Sequence, residues 1–197
     1  MYKELFKQIV ELISKPEKAW NRLAGEEADQ ERFLSRYLFP LIGMLTLAAF
    51  VGVFFADRVF SIEKALRLAI KALLSSLCSF YLGAYILDRL LSGPFGGKSD
   101  LPLCQRFMGY ASSLVYVLMI VLGLLPSGDF FFLYIFVLYT PFIVYAGAGT
   151  YMGIDETPWK WNWTRRTAFT IATSALIIFL PGLIDKFLYF LMPGFRV

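Results

Sequence analysis

The chain has 197 residues, 58% of them hydrophobic and only 17% charged, with a formal net charge of +4; an ordinary soluble domain carries about 25% charged residues. No histidine is present, and the two cysteines, Cys78 and Cys104, stand in different surroundings, which argues against a transition-metal site and against a disulfide framework. The basic excess is spread over short segments and suits anionic lipid better than nucleic acid.

In chain order, residues 1–37 read as a cytoplasmic, interfacial segment and residues 38–192 as one membrane domain. Tyr2, Leu5, Phe6, Ile9, Leu12 and Ile13 recur at helical spacing between Lys3, Glu4, Lys7, Gln8 and Glu11. That pattern predicts an amphipathic helix lying in the membrane interface or packed under a bundle. Lys3, Phe6, Lys7 and Ile9 are its candidate lipid- or partner-facing residues. In the following SKPE, Ser14 is placed to cap a second helix, Glu17 to complete a capping box, and Gly25 to end it. GEEADQER then reads as a polar linker. No apolar signal-peptide core precedes Leu38, so a cleaved leader is not expected.

Residues 38–56, 107–125, 130–152 and 167–184 contain no Asp, Glu, Lys or Arg, and 72–87 is a shorter fifth run. At 1.5 Å of rise per residue, runs of about 18 to 23 residues cross the roughly 30 Å hydrocarbon core of a bilayer. The second span reaches that length only as 68–87, with Lys71 and Arg67 snorkelling to the interface. The expected fold is all-α: a polytopic membrane protein with a five-transmembrane-helix bundle and an N-terminal cytoplasmic amphipathic helix.

Thirteen of the 19 basic residues lie in the N-terminal tail and in the segments after the second and fourth spans. This bias puts the N-terminus in the cytoplasm and the C-terminus outside a cell membrane, the cytoplasmic membrane in a bacterium. Trp20, Trp159, Trp161 and Trp163 fall on the same side, where an indole can rest at headgroup depth with its N–H wet. With Arg165 and Arg166 they extend the candidate face for lipids or partners.

After the second span, SGPFGGKS ends like a phosphate-binding loop. Such a loop needs G-x-x-x-x-G-K-[ST] between a strand and a helix, so that backbone N–H groups and a helix N-terminus meet the anion. Here Gly97, Lys98 and Ser99 fit, but Ser92 stands where the first glycine belongs, a membrane span precedes, and Pro102 follows. The stretch reads as a tight turn.

Thr46, Ser75, Ser76, Ser79, Ser112, Ser113, Tyr116, Tyr139, Thr140 and Tyr145 supply uncharged hydroxyls inside the spans. They are expected to bond their own helix or a neighbour, with a hydrophilic pore as the alternative. Pro141 should kink the fourth span. Ala48 with Gly52, and Gly109 with Ser113, allow close helix contact within one chain or between copies. Asp185 and Lys186 follow an expected break at Pro181-Gly182. They sit on an outer lip if the fifth helix stops near Ile184, the preferred reading, or within the membrane if it runs to Leu191. No nucleophile stands next to a base and no carboxylate pair sits at membrane depth, so no catalytic, cofactor or metal site is expected.

A Gly-Gly turn, Phe95-Gly96-Gly97, precedes Arg106-Phe107-Met108-Gly109-Tyr110 at the third span, which ends in Leu124-Leu125-Pro126. KPEKAW, with Pro16 and Trp20, stands upstream of Pro40, and YTPFIVYAGAGTYMGID, with Pro141, forms the fourth span. In this order and spacing the chain resembles the Yip-one domain family over most of residues 14–185. These are membrane proteins named for binding Ypt/Rab GTPases in eukaryotes. The resemblance implies five membrane helices, a cytoplasmic N-terminus and a role in membrane organisation or trafficking. Eukaryotic members carry a longer cytoplasmic region that engages GTPases, whereas 37 residues precede the first span here, which is similar to prokaryotic members. The function expected is that of a non-enzymatic scaffold or adaptor presenting a basic face to lipids or protein partners, with homo-oligomers allowed. A small channel or carrier using the hydroxyls is the alternative.

Overall fold

The computed structural model describes residues 2–56, 61–93, 95, 100–125, 128–154 and 162–191, and every element among them is helical. Two helices come first, α1 (Tyr2–Ser14) and α2 (Pro16–Gly25). Ser14 does not cap α2. It closes α1 by donating its hydroxyl to the Val10 carbonyl at 2.6 Å, and Pro16 opens α2 with one fewer N–H to satisfy. Gly25 ends α2 as the sequence indicates. The linker is shorter than expected, because Asp29 accepts from the Arg32 N–H at 2.9 Å and starts α3 (Gln30–Phe33).

α3 runs through a π-helical turn, Leu34–Leu38, into α4 (Phe39–Ala56), so the first apolar span begins at Gln30. Pro40 accounts for the wide turn. It lacks an N–H and its ring crowds the carbonyl four residues back, so the turn opens and the Phe39 N–H reaches the Leu34 carbonyl. α5 (Ile62–Ser92) is 31 residues long, started by Ser61, which accepts from the Lys64 N–H at 3.3 Å. It extends the expected 68–87 at both ends.

The third span is a pair, α6 (Leu101–Ala111) and α7 (Ser113–Leu124), bent by 43°. The bend falls at two serines. Ser112 donates to the Met108 carbonyl at 2.7 Å and Ser113 to the Tyr110 carbonyl at 2.7 Å, competing with the backbone ladder. The fourth span starts as a 3-10 helix, Gly128–Tyr139, and becomes α8 (Thr140–Thr150). Pro141 therefore occupies the first turn of an α-helix and does not kink a continuous one.

α9 (Asn162–Leu191) passes through Pro181 without a break. The outer-lip reading is thus corrected: Asp185 and Lys186 lie inside the helix. α5 packs along α9, and Ser75 donates to the Pro181 carbonyl at 3.2 Å, so the two helices touch at the proline. Four helices are long and apolar enough to cross a membrane, or five spans if the bent pair counts as one. α5 packs on α4, α6 and α9, α4 on α7, and α8 on α9 and α2. Gly52 lies against the Gly123 carbonyl, and Gly123 faces Ala48, so this small-residue seam closes within one chain.

Candidate functional site

α1 and α2 form a roof over one end of the bundle. Leu5, Ile9 and Leu12 of α1 and Ala19, Trp20 and Leu23 of α2 are buried, a three-to-four spacing that gathers them on one face. Trp20 is 0% exposed. Its ring lies 5.0 Å from Phe107 and 5.1 Å from Tyr151, with Tyr110 edge-on at 6.2 Å. Its Nε1–H donates to the Ile143 carbonyl of α8 at 2.9 Å. The expectation of a wet indole at headgroup depth is therefore corrected: the donor finds a backbone acceptor inside, and the ring buries more apolar area among other aromatics. Gly147 makes the space. A Cβ there would stand 2.5 Å from the Trp20 ring and 2.8 Å from Phe107.

Tyr110 is the hub of the same cluster, 5.0 Å from Phe33 and 4.7 Å from Tyr37. The Tyr37 hydroxyl meets the Ser113 hydroxyl at 2.5 Å. A Cβ on Gly109 would strike the Phe33 ring. The third-span motif is thus a packing device, with Phe107 against Trp20, Gly109 beneath Phe33 and Tyr110 between α2 and the π turn. Pro16, Pro40 and Pro141 sit at the helix starts and the wide turn from which Trp20, Tyr37 and Ile143 project. Gly96, Gly97, Pro126, Trp159 and Trp161 lie outside the described residues, as does the Trp163 side chain.

Of the α1 candidates, Lys3, Phe6 and Lys7 face outward, while Ile9 is 4% exposed and belongs to the core. Tyr2, Phe6 and Val10 make an exposed apolar stripe. Arg22 ties the two roof helices, pairing with Glu11 of α1 at 3.0 Å and with Glu26 at 2.5 Å. Across the bundle, the Arg166 guanidinium lies 3.9 Å over the Tyr145 ring and donates to the Tyr145 carbonyl at 2.8 Å. Arg165 is partly buried beside it.

From the sequence, Arg106 is one of the basic residues and the first residue of the third-span motif, with no role at a site. It is 8% exposed and borders a polar chamber of about 1020 Å³ between the roof, the start of α6 and the end of α8. Its guanidinium lies close enough to Tyr151 to favour the ionised phenol, and among the described residues its Nε has no hydrogen-bond partner. Burial raises the Tyr151 pKa and Arg106 opposes the rise. The signal that could have found it is its position as the one charge directly abutting the F-x-G-Y motif. Among the described residues no cluster could hold a metal ion.

No curated protein and no solved structure matches the chain. Residues 10–184, from within α1 to within α9, match the Yip1 domain, and the chain is a membrane protein belonging to the Yip1 domain family.

Proposed function

We propose that this protein is a non-enzymatic membrane scaffold or adaptor whose helical roof meets lipids or partner proteins on the cytoplasmic side, in a role of membrane organisation or trafficking. The supporting observation is that α1 is apolar on two sides. Leu5, Ile9 and Leu12 face the bundle, while Tyr2, Phe6 and Val10 remain 55–60% exposed. Packing alone requires one apolar face, and a second one in water is unfavourable unless lipid or protein covers it. Lys3 and Lys7 flank the exposed stripe and suit an anionic surface. The pore alternative draws little support, because Thr46, Ser79, Ser112 and Thr150 give their hydroxyl protons to carbonyls four residues back.

The test is a photoreactive residue in place of Phe6, irradiated in intact membranes. Adducts with lipid or with a discrete protein, lost when Tyr2 and Val10 become Ser, are the expected outcome. Absence of any adduct, or solute flux through liposomes abolished by Ser112→Ala, would remove the scaffold reading.

A further inference from the structure

Beneath the roof, Arg106 carries a charge with little to balance it. A guanidinium does not shed its proton in a protein, so burial leaves it cationic whatever surrounds it. Arg106 is 8% exposed even with the chamber open, so water filling that space reaches little of the residue. Among the described residues no carboxylate stands within ion-pair distance of it, and its Nε has no hydrogen-bond partner. A buried charge left in that condition is strongly unfavourable.

The acidic side chains on the chamber's border do not relieve it. Glu11 and Glu26 both pair with Arg22, and Asp29 caps the first turn of α3. The remaining border charges, Glu4 and Glu27 among them, are exposed and screened by solvent. The near neighbours of Arg106 are hydrogen-bond donors instead. Tyr110 follows one turn later on the same face of α6. The Tyr151 phenol, just past the end of α8, lies beside the guanidinium, and Gln8 of α1 lies beside the Tyr110 hydroxyl. All four residues border the chamber, so three separate elements bring a cationic fork, two phenols and an amide to one space.

We infer that the chamber binds a phosphate group at Arg106, carried on a small molecule or on a lipid headgroup. An anion supplies the charge that water cannot. Phosphate suits the donor set better than a carboxylate does, because its three or four oxygens can accept the paired guanidinium N–H groups together with a phenol and an amide. The planar fork of arginine matches phosphate bidentately. The volume of about 1020 Å³ stands at the top of the usual range of about 300–1,000 Å³ for small-molecule sites, which leaves room for an organic part attached to the phosphate. This site is separate from the exposed stripe of α1 and does not rest on the scaffold reading.

Scintillation-proximity binding to the purified chain in maltoside micelles tests this, at a constant ionic strength set with chloride. The labelled probes are inorganic phosphate, glycerol 3-phosphate, phosphatidylglycerol, and diacylglycerol with the same chains as a phosphate-free background. A single saturable site for at least one phosphate-bearing probe is expected. Saturation by inorganic phosphate or glycerol 3-phosphate assigns the site to a free phosphate compound. Saturation by phosphatidylglycerol alone, above diacylglycerol, assigns it to a headgroup. Arg106→Lys keeps the charge but not the fork and should weaken binding about tenfold, Arg106→Met should abolish it, and Tyr151→Phe should weaken it about fivefold, the scale of one hydrogen bond. Phe6→Ser should leave it unchanged. Circular dichroism confirms that each variant is folded. Absence of a saturable site for all three phosphate probes in the unaltered chain, which needs no variant, overturns the inference. So does binding undiminished in folded Arg106→Met. Where that variant does not fold, an affinity unchanged in both Arg106→Lys and Tyr151→Phe overturns it.

Discussion

Trp20 fastens the roof by two separable contributions, a hydrogen bond to the Ile143 carbonyl and contact with three aromatic rings. Trp20→Phe removes the first and should destabilise by about 1 kcal/mol. Trp20→Ala removes both and should cost about 3–5 kcal/mol, lifting α2 from α8. Thermal unfolding in detergent, with proteolysis at residues 26–29 as a local readout, distinguishes them. Tyr151 adds a pH dependence whose sign follows from its raised pKa. Burial favours the neutral phenol, so its contribution is intact below the ordinary tyrosine value of 10.0 and is lost as pH climbs through the folded value. The roof should therefore loosen only in alkaline solution, followed by Trp20 fluorescence with Trp159, Trp161 and Trp163 replaced by Phe. Tyr151→Phe should blunt that transition. A curve unchanged by the replacement would assign it to other groups.

At the scale of helices, the charge-free runs coincide with helices long and apolar enough to cross a membrane, because bilayer depth is written in composition, and α1 was legible as a helix because its apolar residues keep a helical period. Local departures were not legible. The π turn before Pro40, the bend at Ser112 and Ser113, and the 3-10 start of the fourth span depend on which carbonyl each hydroxyl or N–H reaches, and periodicity does not record that. Pro181 misled for a similar reason: whether a proline breaks a helix depends on the packing around it, and α9 lies along α5 there. Trp20 was read from the preference of its residue type, whereas its burial depends on Gly147 far along the chain. The α4–α7 seam offers a direct check. A Cβ on Gly123 would lie 3.8 Å from the Ala48 Cβ, close to the mean separation of about 3.8 Å in disulfides. Ala48→Cys with Gly123→Cys, in a chain lacking Cys78 and Cys104, should oxidise within single chains. A dimer band on non-reducing gels would place the seam between copies instead.

For the whole molecule, large apolar side chains such as Leu47, Phe54, Ile171, Phe179 and Phe187 remain exposed along the spans, as a surface bathed in lipid requires. The basic bias predicts the orientation. A cysteine at Lys98 should react with an impermeant reagent only from the cytoplasmic side, and one at Ser127 only from outside; the reverse labelling would invert the protein. The bond from Trp20 to Ile143 joins residues 123 positions apart, and this separation has a consequence for biogenesis. At about 5–20 residues per second, a ribosome needs roughly 6–25 s to make the intervening stretch. For that time the newborn amphipathic segment has no aromatic socket to enter, and its greasy side lies open to chaperones or to the bilayer surface. A stalled chain cut before α8 should therefore stay protease-sensitive throughout residues 2–25, and become resistant once α8 has left the exit tunnel.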